Sequence, residues 1–276
     1  MHADLHIHSC FSDGILSPKE ILDEVISTSL KSIAITDHDN INGSIEAQKI
    51  ARRNDYNLEI IPGIEFSCLE NGEDFHIIGL FIDYDSLYLN ETIDLMQKKR
   101  IDAIKKIVGF LNQENINISF KDILDLAKGT VGRPHVALDL VNKKYAKNVN
   151  EAFDKYLSNK ILINIREPRM NVSQAIITIK KCGGIPIWAH PNIKDINFEK
   201  NLKEFIVMGL AGIEVTSPRY GLNRQEIIIK VCSEYNLLLS GGSDFHGFHE
   251  GIDISSDYGI KHKELIDIKK YLNIKK

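Results

Sequence analysis

The sequence predicts an α/β fold in which parallel strands alternate with helices and close into a barrel that carries a helical insertion. Apolar strand-like segments alternate with amphipathic helical segments up to residue 96 and again after residue 160, a pattern typical of parallel strands joined by crossover helices. The number of these repeats favours a barrel over an open sheet. Between them, helical periodicity continues without any alternating β-branched run. We therefore assign 1–96 and 161–276 to the barrel and 97–160 to an inserted helical cap subdomain.

The elements before the insertion follow from periodicity and cap signals. The opening DLHIH is predicted as a strand. Ser17 matches a helix N-cap, Pro18 the first helical position, and Glu20, three residues after Ser17, the partner of Ser17 in a capping box. Apolar residues at helical spacing follow them. The next segments are SIAITDH (strand), SIEAQKIARRN (helix), EIIPGIEFS (strand) and FHIIGLFID (strand).

Beyond Asp83 the periodicity becomes helical. TIDLMQKKRIDAIKKIVGFLNQEN predicts one long amphipathic helix, and shorter helical pieces continue to about Asn159. The alternation then resumes with AIITIKKCGG (helix), IPIWAHP (strand), FEKNLKEFIVMGL (helix), AGIEVTS (strand), NRQEIIIKVCSEYN (helix) and LLLSGGSDFHG (strand).

The composition of the 276 residues is that of an ordinary globular protein, with 43% hydrophobic and 26% charged residues. No run of about 18 apolar residues predicts a membrane span, and the N-terminus lacks the pattern of a signal peptide. The four cysteines are scattered without C-x-x-C spacing, which favours reduced, buried thiols over a disulfide framework. We therefore expect a cytoplasmic protein, and infer no obligate protein partner.

The net charge of −4 conceals an asymmetry along the chain. The segment from Lys98 to Lys160 has 13 basic and 7 acidic residues, whereas the remainder has 21 basic and 31 acidic residues. An acidic body with a basic middle segment suits metal ions bound beside a phosphorylated substrate, although two solvated surfaces of different composition would give the same counts.

Polar side chains interrupt or follow most of the apolar strands, and they are of the types that ligate metals. In a parallel barrel the carboxyl ends of the strands converge on one face, where catalytic groups are found. Buried ionisable groups are costly unless they are paired or bound to metal. The candidate metal ligands are His6, His8, Asp13, His38, Glu65, His76, His190, Asp244 and His246.

These nine residues are too many for one tetrahedral site and include no cysteine. Imidazole combined with carboxylate suits Mn, Fe or Zn better than Ca or Mg. The set therefore predicts two to three divalent transition-metal ions per chain.

The chain resembles the PHP (polymerase and histidinol phosphatase) family over nearly its whole length. The motifs that carry the resemblance are, in order, HIHSCFSDG, TDHDNINGS, PGIEFS, FHIIGLFID, GRPHVALDL, AHP and SDFHG. They are most similar to the stand-alone PHP phosphoesterases that act on nucleotides and short RNA. The resemblance implies a distorted (β/α)7 barrel, similar to a TIM barrel, with a trinuclear metal centre.

Carried over by motif, the resemblance also implies how the ligands are shared among the ions. No ligand position is missing, whereas PHP domains without hydrolytic activity typically lack some ligands. Glu65, as a bridge, and Asp244 are also expected to act in catalysis. The implied sets are His6, His8, Glu65 and Asp244 for one ion, Glu65, His76 and His190 for a second, and Asp13, His38 and His246 for a third.

Arg133 and His135, in the GRPH motif, are the candidate substrate-binding and catalytic residues of the insertion. The guanidinium of Arg133 could bind a phosphate bidentately, and His135 could donate a hydrogen bond beside it or protonate a leaving oxygen. A solvated basic helix end would leave the same pattern.

Other polar or aromatic residues have less specific interpretations. Either Asp37 or Asp39 could orient the imidazole of His38, while a turn or N-cap role fits Asp39 equally well. The bulky Trp188 is predicted to pack in the core. The remaining candidates are treated as surface or loop residues: His2, Arg219, His249 and His262.

Three functions are compatible with the sequence. The first is a phosphoesterase acting on nucleotides, as a nucleoside 3′,5′-bisphosphate phosphatase, a 5′→3′ exonuclease on short RNA, or both. Clustered cations would supply a hydroxide nucleophile and neutralise charge on the phosphoryl oxygens. The alternatives are a histidinol-phosphate phosphatase and a non-catalytic metal-binding PHP interaction module. The spacing of PGIEFS and the insertion argue against the former, and the complete ligand set argues against the latter.

Overall fold

The computed structural model describes residues 2–158, 160–162, 165, 169–218, 221–247, 254 and 258–274. Arg219 and His249, for which surface positions are predicted, lie outside these residues. The strands are β1 (Ala3–Ile7), β2 (Ser32–Ile35), β3 (Glu59–Ile60), β4 (Gly63–Glu70), β5 (Glu73–Leu80), β6 (Ile185–Trp188), β7 (Gly212–Thr216) and β8 (Leu238–Gly241). The α-helices are α1 (Pro18–Ile26), α2 (Asn42–Arg53), α3 (Leu87–Gln113), α4 (Phe120–Leu126), α5 (Arg133–Asn142), α6 (Val149–Ala152), α7 (Val172–Lys181), α8 (Phe198–Met208), α9 (Leu222–Tyr235) and α10 (His262–Ile274).

The strands form two sheets, which gives an α/β fold as predicted. The first sheet has the order β1-β2-β3 and is parallel, and the second has the order β4-β5-β6-β7-β8. The prediction that all strands are parallel is wrong for β5, which is antiparallel to both β4 and β6. Asn71 and Gly72 join β4 to β5 with φ angles of 50° and 85°. A two-residue turn with positive φ values connects antiparallel strands only.

Isolated parallel bridges connect the edges of the two sheets. Ile7 at the end of β1 pairs with Phe245 beyond β8, and His38 beyond β2 pairs with Glu65 on β4. The segment predicted as one strand, EIIPGIEFS, is divided into β3 and β4 at Pro62, which has no N–H to donate to a sheet. The chain beyond β2 consequently lies beside β4, and the end of β1 lies beside the chain beyond β8.

The helices agree closely with the predicted segments. The capping box of α1 is confirmed, because Ser17 accepts a hydrogen bond from the Glu20 backbone N–H while the Glu20 carboxylate accepts one from the Ser17 backbone N–H. Helix α10 was not predicted, since the sequence interpretation stopped at the last strand. Among the described residues, no helix combines the length and apolar character needed to cross a membrane. All four cysteines are buried free thiols, as predicted.

Helix α3 connects two separate apolar clusters. Its N-terminal half contributes Leu89 and Ile93 to a cluster that also contains side chains of β4, β5, α7 and α8. Its C-terminal half contributes Ile107 and Leu111 to a second cluster, whose buried members all lie between Ile104 and Leu162. The segment between Ile104 and Leu162 therefore has an apolar core of its own.

Helix α8 offers a test of the first cluster. Phe205 is fully buried and contacts Phe75 and Trp188 at ring centroid distances of 5.2 and 5.1 Å. We expect Phe205→Ala to lower the free energy of unfolding by about 3–5 kcal/mol, because it leaves a cavity between aromatic rings. Val207 on the same helix is 89% exposed, so Val207→Ala should change the free energy of unfolding by less than about 0.5 kcal/mol. Equal effects in urea unfolding would contradict this account of the packing.

Candidate metal centre

Glu65 lies at the centre of the predicted ligand set. It is fully buried on β4, and its two carboxylate oxygens lie within 3.4 Å of imidazole nitrogens from five histidines. The distances are 3.4 Å to His6 Nε2, 3.2 Å to His8 Nε2, 3.0 Å to His38 Nδ1, 3.1 Å to His76 Nδ1 and 3.4 Å to His190 Nε2. The five histidines come from four separate parts of the chain.

Two further carboxylates, Asp13 and Asp244, complete the cluster. The Oδ1 atom of Asp13 is 3.6 Å from His8 Nδ1 and 3.5 Å from His246 Nε2, and its Oδ2 atom is 3.7 Å from His38 Nε2. The Oδ1 atom of Asp244 is 3.4 Å from His8 Nε2 and 3.7 Å from His246 Nδ1. All nine predicted ligands are thus brought together.

His76 reaches this cluster by a route that the sequence did not predict. It lies in the first half of β5 rather than near the carboxyl end of a strand. Because β5 runs antiparallel to its neighbours, the first half of β5 lies at the same edge as the carboxyl ends of β6 and β7. The antiparallel hairpin therefore keeps His76 among the ligands.

The cluster has the properties of a multi-metal site. Both oxygens of Glu65 are buried, yet they accept no well-aligned hydrogen bond from the described residues. The Nε2 atoms of His6 and His8 are only 3.0 Å apart. Four overlapping groups have ligand atoms within 4.8 Å of one another: His8, Asp13, His38 and His246; His6, His190 and Asp244; His6, His8 and Glu65; and His38, Glu65 and His76.

The charges in the cluster stabilise one another. Burial by itself would raise the pKa of Glu65, but the imidazoles of His38 and His76 outweigh burial and hold that pKa well below its usual range. Burial would lower the pKa of His8, but the adjacent carboxylates of Asp244 and Glu65 outweigh burial and raise that pKa to about 10. The carboxylates therefore favour positive charge in this space, whether protons or metal ions carry it.

The loop after β1 brings Asp13 back towards the histidines of that strand. Gly14 closes the loop, because its N–H donates to the Ser9 carbonyl at 3.1 Å and a Cβ atom there would lie 2.4 Å from the His8 carbonyl oxygen. Asp37 fixes the loop from the side by accepting hydrogen bonds from Ser9 N at 2.7 Å and Ser12 Oγ at 2.7 Å. Asp37 therefore positions the β1 loop rather than the imidazole of His38.

Asp39 occupies a turn with φ of 48° and anchors a cation that sequence analysis missed. Arg100 on α3 donates from Nε to Asp39 Oδ2 at 2.8 Å and from Nη2 to Ser67 Oγ at 2.8 Å. Ser67 Oγ is in turn 3.3 Å from His38 Nδ1. In the sequence, Arg100 resembles the other cations of an amphipathic helix, so no local signal distinguished it.

The two candidate residues of the GRPH motif differ in environment. Nη1 of Arg133 donates to the Leu157 carbonyl at 3.3 Å, and its Nη2 lies 4.0 Å from Asp74 Oδ2. His135 is only 6% exposed, and its Nδ1 accepts a hydrogen bond from Gly132 N at 3.1 Å. His135 therefore caps the N-terminus of α5. Burial lowers the pKa of His135, although the nearby Asp13 opposes this effect.

Two further residues near the cluster were not selected from the sequence. The Nη1 atom of Arg169 lies 2.9 Å from Oδ1 of Asp74, the residue that also faces Arg133. Glu214 on β7 contacts two of the predicted ligands. A carboxylate in the apolar strand segment GIEVT was the available signal for Glu214, because the same pattern in GIEFS identified Glu65.

A cleft with a cavity volume of about 240 Å³ opens beside His76 and His190, and Asn192 and Asn201 contribute amide groups to its lining. Trp188 also borders the cleft, but it is buried and stacks on Phe198 at 5.4 Å, as predicted for a core residue. The rings of His2 and His262, predicted as surface residues, contact each other at an exposed position away from the cluster.

Comparisons with known proteins agree with this geometry. The PHP domain family model matches residues 4–166. The chain is 30% identical over 246 residues to a 5′-3′ exoribonuclease of Haemophilus influenzae, covering 88% of this chain and 89% of that protein. It is 28% identical over 253 residues to a 3′,5′-nucleoside bisphosphate phosphatase of Chromobacterium violaceum, covering 90% of this chain and 88% of the relative.

The fold is also similar to solved structures. An amidohydrolase structure from Chromobacterium violaceum, with bound sulfate and no metal, aligns with a TM-score of 0.87 and 26% identity, covering 100% of this chain and 97% of that chain. A structure from Bifidobacterium adolescentis aligns with a TM-score of 0.88 and 25% identity over 97% of this chain and 95% of that one. By its family match and its relatives over nearly the full length, the chain belongs to the PHP domain family of phosphoester hydrolases.

Proposed function

We propose that this protein is a metal-dependent phosphoesterase that hydrolyses phosphate esters of nucleotides. Its substrates would be nucleoside 3′,5′-bisphosphates, the 5′ ends of short RNA, or both. The observation that carries the proposal is the convergence of nine ligand-type side chains around the buried carboxylate of Glu65. The names of the two curated relatives support the substrate class. A nucleoside 3′,5′-bisphosphate has the same phosphate pattern as an RNA 5′ end, so one site can serve both.

The ligand distances support a division of the nine residues among three ions. Asp13, His38 and His246 lie together at one side of the cluster, and His76 and His190 lie together at the other, with their nearest nitrogens 3.2 Å apart. Glu65 lies between them and would bridge two ions. When bound, Mn, Fe or Zn ions would activate water and neutralise charge on the phosphoryl oxygens.

The surroundings of the cluster suggest where the substrate lies. Arg133, at the N-terminus of α5, would bind the phosphate that is not hydrolysed, and its contact with Asp74 on β5 supports a position close to His76. The cleft beside His76 and His190 would accept the nucleoside. Arg133 and the cleft would thereby position the scissile ester over the cluster, as bound groups remote from the reacting bond can do.

We also propose that the strands form the distorted (β/α)7 barrel expected of the family, with residues 97–160 as a cap. The edge bridges, and the short gap between β3 and β4, support a count of seven barrel strands: β1, β2, β3 with β4, β5, β6, β7 and β8. The separate apolar core of the insertion supports a distinct cap. A cytoplasmic location fits both nucleotide and RNA substrates.

A substrate panel tests the function directly. With Mn²⁺, we expect hydrolysis of adenosine 3′,5′-bisphosphate and of a 5′-phosphorylated oligoribonucleotide to be much faster than that of AMP or histidinol phosphate, measured as kcat/KM. A chelator should abolish these rates and added Mn²⁺ should restore them. Preference for histidinol phosphate would replace the nucleotide assignment, and inactivity on the whole panel would favour an interaction module.

The role of Glu65 can be tested by Glu65→Gln. The amide keeps the shape of the side chain but removes the charge shared by the surrounding imidazoles, so we expect kcat to fall at least about 100-fold. Glu70 on the same strand accepts a hydrogen bond from Val172 N at 3.1 Å, which a glutamine can also accept. The control Glu70→Gln should therefore retain wild-type kcat. A folded Glu65→Gln enzyme of normal activity with saturating Mn²⁺ would remove Glu65 from the site.

Arg133→Ala tests recognition of the second phosphate. One charge-assisted contact of this kind contributes roughly 1.5–3 kcal/mol, so kcat/KM for a bisphosphate should fall about 10- to 150-fold. Hydrolysis of an aryl phosphate, which lacks a second phosphate, should fall much less. Lys121→Ala removes an exposed cation of the insertion and should affect neither substrate. Equal losses on both substrates would mean that Arg133 only maintains the structure of its helix.

A further inference from the structure

Glu214 is a fully buried carboxylate in the strand β7, and it contacts two residues of the metal-ligand cluster. The neighbouring Ile213 and Val215 belong to the main apolar cluster on the outer side of the sheet. Because successive side chains of a strand point to opposite faces, Glu214 points to the inner side. Burying a carboxylate costs several kcal/mol unless hydrogen bonds or charges offset it, so its contacts should explain its presence.

Each oxygen of Glu214 contacts a different predicted ligand. Oε1 is 3.0 Å from Nδ1 of His6, and Oε2 accepts a hydrogen bond from the backbone N–H of His190 at 2.7 Å. His6 belongs to β1 and His190 follows β6. One carboxylate therefore connects ligands from two strands that are distant in the sequence.

The contact with His6 selects one form of its imidazole. An ionised carboxylate is only an acceptor, so the proton of a neutral His6 must be on Nδ1. Nε2 then carries the lone pair, and it faces Glu65 at 3.4 Å and Asp244 at 3.3 Å. This is the tautomer that ligation through Nε2 requires.

The contact with His190 supports an unusual backbone conformation. His190 has a φ of 29°, in the left-handed region that residues other than glycine rarely adopt. Such conformations persist only where surrounding contacts hold them. The hydrogen bond from His190 N to Glu214 is one such contact, and with it Nε2 of His190 lies 3.2 Å from Nδ1 of His76.

We propose that Glu214 is a positioning residue of the metal centre, which sets the tautomer of His6 and the backbone conformation of His190 so that both imidazoles face the metal-ligand cluster. The inference rests on the proposed metal-dependent function, and it adds a residue that contacts neither the substrate nor the ions. Carboxylates that accept a hydrogen bond from a ligating histidine typically contribute 10- to 100-fold in metal affinity.

Glu214→Gln is the most direct test. The amide retains the volume of the side chain but offers only one accepting oxygen, so either His6 Nδ1–H or His190 N–H faces an NH₂ group. We expect the affinity for Mn²⁺ alone, measured by calorimetric titration of the metal-free full chain, to fall about 10- to 100-fold. Asp139→Asn is the matched control, because Asp139 is also buried and pairs with Lys143 at 2.8 Å within the insertion. It should bind Mn²⁺ as the wild type does.

A measurement on the wild-type protein makes the test independent of how the variant folds. In the Zn²⁺-loaded protein, ¹⁵N NMR should show the His6 proton on Nδ1, with the signal assigned by its loss in His6→Asn. A proton on Nε2 of His6, or unchanged Mn²⁺ affinity in folded Glu214→Gln, would overturn the role of Glu214 while leaving the proposed function intact. A wild-type protein that binds no Mn²⁺ would overturn both proposals.

Discussion

The structure depends on the burial of one carboxylate, Glu65, at the point where the two sheets meet. Its backbone forms one of the bridges that join the sheets, to His38, and its side chain lies among five imidazoles. A carboxylate without water must be matched by positive charge, which protons on histidine or bound metal ions can supply. The same residue therefore ties the fold to the ligand cluster.

Residues that do not belong to the cluster hold its ligands in position. Asp37 holds the loop that contains Asp13, and Glu214 contacts His6 and His190. In all of these contacts a carboxylate is the hydrogen-bond acceptor. Because each such bond limits one imidazole or loop to a single arrangement, the cluster can be preorganised for cations rather than assembled by them.

Sequence analysis selected candidate residues where a side chain conflicted with its local pattern. His6, Glu65 and His190 were identified because polar groups are unexpected in or beside apolar strands, and their proximity followed from strand alternation. The direction of β5 was missed although Asn71 and Gly72 form a strong hairpin signal, since the strand–helix alternation was applied to every strand. Arg100 could not be found, because a cation on an amphipathic helix looks the same whether it faces solvent or an aspartate.

The helical insertion and the ligand cluster are held by the same loops, and this connects substrate recognition to metal binding. The Phe11 carbonyl, in the loop between His8 and Asp13, accepts hydrogen bonds from Thr130 N at 2.8 Å and Asn40 Nδ2 at 2.9 Å. Thr130 lies just before α5, the helix that begins with the candidate phosphate-binding arginine. A displacement of the insertion would therefore also displace the loop that delivers a ligand. Recognition of the substrate and order in the metal centre are accordingly expected to change together.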